Sequence, residues 1–245
     1  MYFTQLCFIL SVSTVVKSAF ERKNECLPGN NHKRTPGPEE GTFGACHEYK
    51  NNSCCTAAFT QTLSASPIVK VEDTYWNRCG NLSRSCEQYK LSVECFYRCS
   101  PNAIYWKNPD HPSAALHVPV CAEDCDAWFE ACKDDMTCAT NWLTDWNFTK
   151  PGENHCKMPC KSFTEIYKDG KGLCEKMWGS TFLYEGNADK CIKLQWSAGD
   201  NPNNAAVEKI FASTSGGWST VMKTAFADLI LISCAVAISS FFKFF

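Results

Sequence analysis

Apolar residues gather at the two ends of this chain and are interrupted by polar ones everywhere between. The opening run MYFTQLCFILSVSTVV carries no charge and leads into Lys17, Ser18 and Ala19. It is too short to span a bilayer and small residues close it, the pattern of a secretory leader. The expected leader is residues 1–18, with cleavage after Ala19 as the neighbouring alternative. At the other end LILISCAVAISSFF, from Leu229 to Phe242, is shorter than the roughly 20 residues a spanning helix needs. It follows a small-residue cluster at Ser213–Gly217 and a more polar spacer, WSTVMKTAFAD. That order is a GPI-attachment signal whose tail is removed, occupying 213–245 with Ser215 as the preferred attachment residue. A single-pass helix starting near Val221 is the competing reading, and Lys223, Asp228 and Lys243 weaken it.

In the body, 19–212, hydrophobic positions recur at helical spacing around cysteines. In CAEDCDAWFEACKD, Cys121, Cys125, Trp128 and Cys132 sit at offsets 0, 4, 7 and 11, one narrow stripe at about 100° per residue. This predicts a helix with Trp128 in the core. CKMPCKSFTEIYKDGKG predicts a second, with Cys156, Cys160, Phe163 and Tyr167 on one stripe, Pro159 in its first turn and Gly170 and Gly172 available to end it. In SCEQYKLSVECFYRCSP, Cys95 and Cys99 share a face while Tyr97 lies about 200° round the helix. With the cysteines pinned to the domain, Tyr97 points toward solvent or a cleft, and Ser100-Pro101 ends the helix. The Pro/Gly-rich stretch 30–41 reads as an irregular arm held by Cys26 and Cys46.

The cysteine count settles the redox compartment. Of 18 cysteines, Cys7 falls in the leader and Cys234 in the tail, leaving 16 in the body, an even number that fits eight disulfides in a secreted domain. Zinc sites favour CxxC pairs with histidines at fixed spacing, whereas the close pairs here are CxxxC and the adjacent Cys54-Cys55, so no metal is expected. Sequons at Asn51, Asn81 and Asn147 fit a glycosylated surface. The net charge of −2 gives no reason to expect a nucleic-acid partner. Nucleophile-elbow, metalloprotease and phosphate-loop motifs are absent and the five histidines are scattered, so no enzyme is expected. Eight tryptophans are many for a disulfide-stapled domain. They either fill space between short helices or line an aromatic cleft for a flat, polar-edged ring. Two function classes follow: a small-molecule carrier or receptor, and a cell-surface module that binds a protein partner.

The stretches SPIVKVEDTYWNRCGNLSRSCEQYK, ECFYRCSP, AWFEACKDDMTCATNWLTDW, GENHC and CEKMWGSTF resemble the folate-receptor family, and within it the riboflavin-binding members, over about Cys26 to Cys191. CIKLQWSAGDNPNNAAVEKIFAS is similar to the C-terminus of the GPI-anchored receptors. The resemblance implies a small, mainly helical, disulfide-rich α+β single domain. It also implies the pairs Cys26–Cys54, Cys46–Cys95, Cys55–Cys99, Cys79–Cys160, Cys86–Cys132, Cys121–Cys191, Cys125–Cys174 and Cys138–Cys156.

Family membership leaves folate and riboflavin to be separated. The receptors hold the pterin with an aspartate nine residues before a tryptophan; that position here is Pro67, beside Ser66. HPSAALHVPVC has no arginine where the receptors bind glutamate, and Leu143-Thr144 replaces their His-Lys pair. A glutamyl dianion would lack its charge-assisted partners. The riboflavin members sandwich the isoalloxazine between a tyrosine of CFYRC and a tryptophan of CxxMWG, here Tyr97 and Trp178. Riboflavin is therefore the implied ligand, with Trp142, Trp146 and Trp76 as further cleft-wall candidates, while Tyr105 and Trp106 stay open between core and rim. Acid release is common in the family, and His117 and His155 are the candidate titrating groups.

Overall fold

Ser83 begins the element on which the site is built. Its side chain accepts from the amide of Cys86 and caps the helix α2, Arg84–Cys99, satisfying an amide with no intrahelical partner. Ser100 is already extended (φ −69°, ψ 125°) and Pro101 follows, so the helix stops where the sequence predicts. The computed structural model describes residues 21, 23–149, 152–197 and 199–212. The expected leader, Ser215, the tail, Cys7 and Cys234 lie outside the described residues. Residues 23–209 form one compact unit.

Around α2 the chain runs through α1 (Ala57–Gln61), a two-stranded turn β1–β2 (Lys70–Val71, Thr74–Tyr75), β3 (Val118–Cys121) and α3 (Ala122–Cys132). It continues as β4 (Met136–Thr137), β5 (Trp146–Phe148), β6 (Asn154–Cys156), β7 (Lys161–Ser162), α4 (Phe163–Tyr167), α5 (Gly170–Met177) and β8 (Phe182–Glu185). The strands make two-stranded ladders: β1–β2, β4–β7 and β5–β6 antiparallel, β3–β8 parallel from Val118↔Phe182 to Cys121↔Glu185. Short ladders bury little apolar surface by themselves, and covalent staples replace it. Cys86–Cys132 joins α2 to α3, Cys125–Cys174 joins α3 to α5, and Cys46–Cys95 and Cys55–Cys99 tie α2 to the N-terminal segment. Cys26–Cys54, Cys79–Cys160, Cys121–Cys191 and Cys138–Cys156 complete the eight. Every pair is the one the resemblance implies. The four sulfurs of Cys79, Cys138, Cys156 and Cys160 lie within 4.8 Å of one another, as two adjacent disulfides.

Trp128 is wholly buried beneath the α3 cysteines, as its stripe predicts. The helix expected from Cys156 onward is different. Cys156 ends β6, Cys160 precedes β7, and the helix begins only at Phe163, where Ser162 and Glu165 close a reciprocal capping box. Phe163 and Tyr167 share the buried face, as expected. Cys156 is instead taken up by the β5–β6 ladder, opposite Trp146, which fixes it in extended backbone. Gly170 starts α5 rather than ending α4. Asp169 caps that helix by accepting from Gly172 N at 2.6 Å, and a Cβ on Gly170 would stand 2.6 Å from the Cα of Asp126 on α3.

That close approach makes Gly170→Ala a test of the α3–α5 contact. Overpacking of this kind costs about 1–3 kcal/mol; the variant should unfold at a lower denaturant midpoint with an unchanged slope. A wild-type midpoint would mean that the two helices separate freely at this end.

Candidate functional site

Val93, Glu94 and Tyr97 leave α2 on the side away from Cys95 and Cys99 and line a cavity of about 330 Å3, within the size range of small-molecule sites. Trp76, Trp142 and Trp178 line it too, with Val71, Phe182, Leu143 and Phe148. Trp178 follows the last residue of α5, and Gly179 beyond it takes the left-handed conformation (φ +59°) that turns the chain. Trp142 is held beside it because its amide donates to Met177 O at 2.7 Å; the two rings lie 6.1 Å apart at 49°. Trp146 lies outside the lining. It packs edge-on against Trp142 (5.1 Å, 84°) and donates its Nε1–H to Trp142 O at 3.0 Å. Its place is behind the wall, a correction to its expected role. Trp106 is buried in the core and Tyr105 Oη accepts from Lys23 N; neither lines the cavity.

Tyr97 is fixed at both ends. Its hydroxyl donates to Ser113 O at 2.9 Å, and burial pushes the phenol pKa up, which keeps that donor protonated. At its base the His32 ring stands edge-on (5.0 Å, 87°) and His32 Nε2 donates to Tyr97 O at 2.9 Å. The irregular arm that carries His32 thus backs one face of the site. Its sequence gives no sign of this, because the contact spans 65 residues. His117 and His155, the expected titrating groups, are not among the lining residues.

At one edge Arg98 bonds Glu94 at 2.7 Å and Glu72 at 3.0 Å, with its guanidinium carbon 5.4 Å from the Tyr97 ring centroid. Arg98 is the cation among the lining residues, and two carboxylates already occupy it. Ala114, Ala115 and Leu143 also line the cavity, at or beside positions where the sequence lacks the receptors' cations. Ser66 instead donates to the buried Glu87 at 2.6 Å, outside the lining. Leu143 and Phe148, 54% and 57% exposed, form an apolar rim.

Periodicity also hides Lys90. It is 1% exposed, and its Nζ lies 2.8 Å from the Trp142 ring centroid, 4.7 Å from that of Trp76 and 5.5 Å from that of Trp178. Burial holds its pKa well below the usual lysine value, with Glu94 acting in the opposite direction. The three sequon residues, Asn51, Asn81 and Asn147, are exposed.

A disulfide-bolted helix presenting Tyr97 to a cleft walled by Trp76, Trp142 and Trp178 defines a small-molecule-binding domain. The Folate receptor family profile matches residues 25–193, and the chain belongs to that family. It is 45% identical over 189 residues to the riboflavin-binding protein of Gallus gallus, covering 77% of this chain and 79% of that one. Identity to the riboflavin-binding protein of Dromaius novaehollandiae is 42% over the same shares. Folate receptor gamma of Homo sapiens is 32% identical over 78% of this chain and 80% of its own. These relatives are named for binding and reception rather than catalysis.

His32 supplies a pH prediction. Burial lowers its pKa from the ordinary 6.5, and its Nδ1 has no partner among the described residues. The unfolded chain therefore takes up the proton first as pH falls. Stability is fully present above about 6.5 and declines below it, at no more than about 1.4 kcal/mol per pH unit for one proton. Denaturant midpoints measured from neutral to mildly acid pH should fall less steeply in His32→Gln, which keeps a donor for Tyr97 O. Identical slopes would remove His32 from the acid response.

Proposed function

We propose that this protein binds riboflavin, with the isoalloxazine ring stacked between Tyr97 and Trp178, and carries it or takes it up at a cell surface. The observation that supports this most is that both residues line one cleft together with Trp142 and Trp76. An electron-poor tricyclic ring gains dispersion and donor–acceptor attraction from aromatic faces on both sides, roughly 1–3 kcal/mol per face by analogy with stacked bases. Nanomolar affinity needs about −12 kcal/mol, so burial against the apolar wall and hydrogen bonds to the ring edge supply the rest. Folate fits less well. Its glutamyl carboxylates would have to compete for Arg98 with Glu94 and Glu72, which hold it already.

Riboflavin fluorescence tests the clamp. Protein purified from a secreting eukaryotic host should quench it stoichiometrically, and excess folate should not reverse the quenching. Trp178→Ala and Tyr97→Ala should each weaken binding about ten- to a hundredfold. Unquenched emission at micromolar protein would remove riboflavin and direct attention to a protein partner.

We propose further that the mature chain is glycosylated at Asn51, Asn81 and Asn147 and held on the outer membrane leaflet by a GPI anchor at Ser215. Eight disulfides require an oxidising compartment, and the sequon side chains are open to solvent. Phosphatidylinositol-specific phospholipase C should release the protein from intact cells. Retention after that treatment, with detergent needed for release, would favour a spanning helix.

A further inference from the structure

Stacking leaves the charged residues of the cavity lining, Glu72, Glu94 and Arg98, without a role. Two of them stand one turn apart on α2, where Arg98 Nε donates to Glu94 Oε1 at 2.7 Å. The third sits in the tight turn between β1 and β2, where Glu72 takes a left-handed conformation (φ +52°). Its two carboxylate oxygens accept from Arg98, Oε1 from Nη1 at 3.1 Å and Oε2 from Nη2 at 3.0 Å. This bidentate fork pins the turn to α2 and fixes the carboxylate at the cavity.

Exposure separates the two acids. The Glu94 side chain is 13% exposed and that of Glu72 is 54%, so Glu72 stands where the cavity opens. The other exposed lining residues, Leu143 and Phe148, are apolar, which makes Glu72 the polar group of the rim. Two carboxylates on one guanidinium leave one negative charge in excess, and exposed Asp73 beside Glu72 adds to it. Lys90 lies behind the rings of Trp76, Trp142 and Trp178, outside the lining, and burial disfavours its charge.

A carboxylate has about four acceptor sites, and Arg98 uses only part of that capacity. The rim therefore offers lone pairs and negative charge to any group that lies against it. Hydroxyl groups, which donate, suit it. A phosphate ester carries about −1.5 to −2 charge at neutral pH and acceptor oxygens, and the cation that could receive it is already held by both carboxylates.

We propose that Glu72 is a specificity-determining residue that admits the hydroxylated side chain of riboflavin and turns away its phosphate ester, flavin mononucleotide. The ligand's identity rests on the riboflavin reading; the acidic rim does not. The deeper walls, Val71, Val93, Trp76 and Phe182, are apolar and buried, so the polyol and any phosphate on it stay at the mouth with Glu72. Flavin nucleotides then need hydrolysis of the phosphate ester before this protein can take the vitamin.

Riboflavin and flavin mononucleotide are titrated side by side into the whole protein by flavin fluorescence at neutral pH. Salt is raised from about 10 mM to about 1 M, over which the screening length falls from about 30 Å to about 3 Å. At low salt the mononucleotide should bind about tenfold or more weakly than riboflavin, and the ratio should shrink as salt rises. Glu72→Gln keeps a polar partner for Arg98 and removes the charge; it should narrow the low-salt ratio about three- to tenfold. Glu130→Gln removes the same charge from a surface pair with Lys133 on α3, outside the lining, and should keep the wild-type ratio. Equal affinity of the wild type for the two flavins would overturn the assignment and leave the clamp standing. So would a ratio indifferent to salt or to Glu72→Gln, or one narrowed as much by Glu130→Gln. If Glu72→Gln is not secreted, the wild-type salt series decides alone. Failure of the wild type to bind riboflavin at all would overturn both readings.

Discussion

Everything in the site depends on the covalent anchoring of α2. Three of the eight disulfides end on this helix, at Cys86, Cys95 and Cys99. A domain of short helices and two-stranded ladders has little continuous sheet to fix a helix by packing alone. Cross-links restrict the unfolded chain and set the rotation of α2 about its axis. With Cys95 and Cys99 committing one face to sulfur, Val93 and Tyr97 must point to the other. The cavity is the space into which they project.

The opposite wall is built by a different device. Trp178 follows the end of α5, and α5 is placed by Cys125–Cys174 and by the close approach of Gly170 to Asp126. Trp142 comes from a loop, yet its amide bonds Met177 O, so it moves with α5, and Trp146 braces it from behind. Two cross-linked helices thus carry the two sides of the cleft, and both are joined to α3.

The sequence revealed most where covalent and periodic constraints agree. Trp128 and the direction of Tyr97 are legible because cysteine spacing and a helical period of about 100° per residue assign the same faces. Between Cys156 and Gly172 strand pairing and local capping override the period: Cys156 is held in β6, the Ser162–Glu165 capping box starts the helix and Asp169 starts the next. Trp146 could not be told from Trp142 by composition, since what separates them is one hydrogen bond and an edge-on contact. His32 and Lys90 were hidden for another reason. A lysine within a helical stretch normally reads as solvated, and only the tertiary arrangement of three distant tryptophans buries this one.

The double fixing of Tyr97 has a thermodynamic consequence. With the hydroxyl on Ser113 O, the ring edge on His32 and the backbone inside α2, the side chain surrenders its rotational freedom when the chain folds, before any ligand arrives. Immobilising such a side chain during association would cost about 0.5–1.5 kcal/mol; here that ordering is complete beforehand. The Tyr97 side of the cleft is rigid by construction, so any adjustment that would admit the proposed ligand falls to the other side.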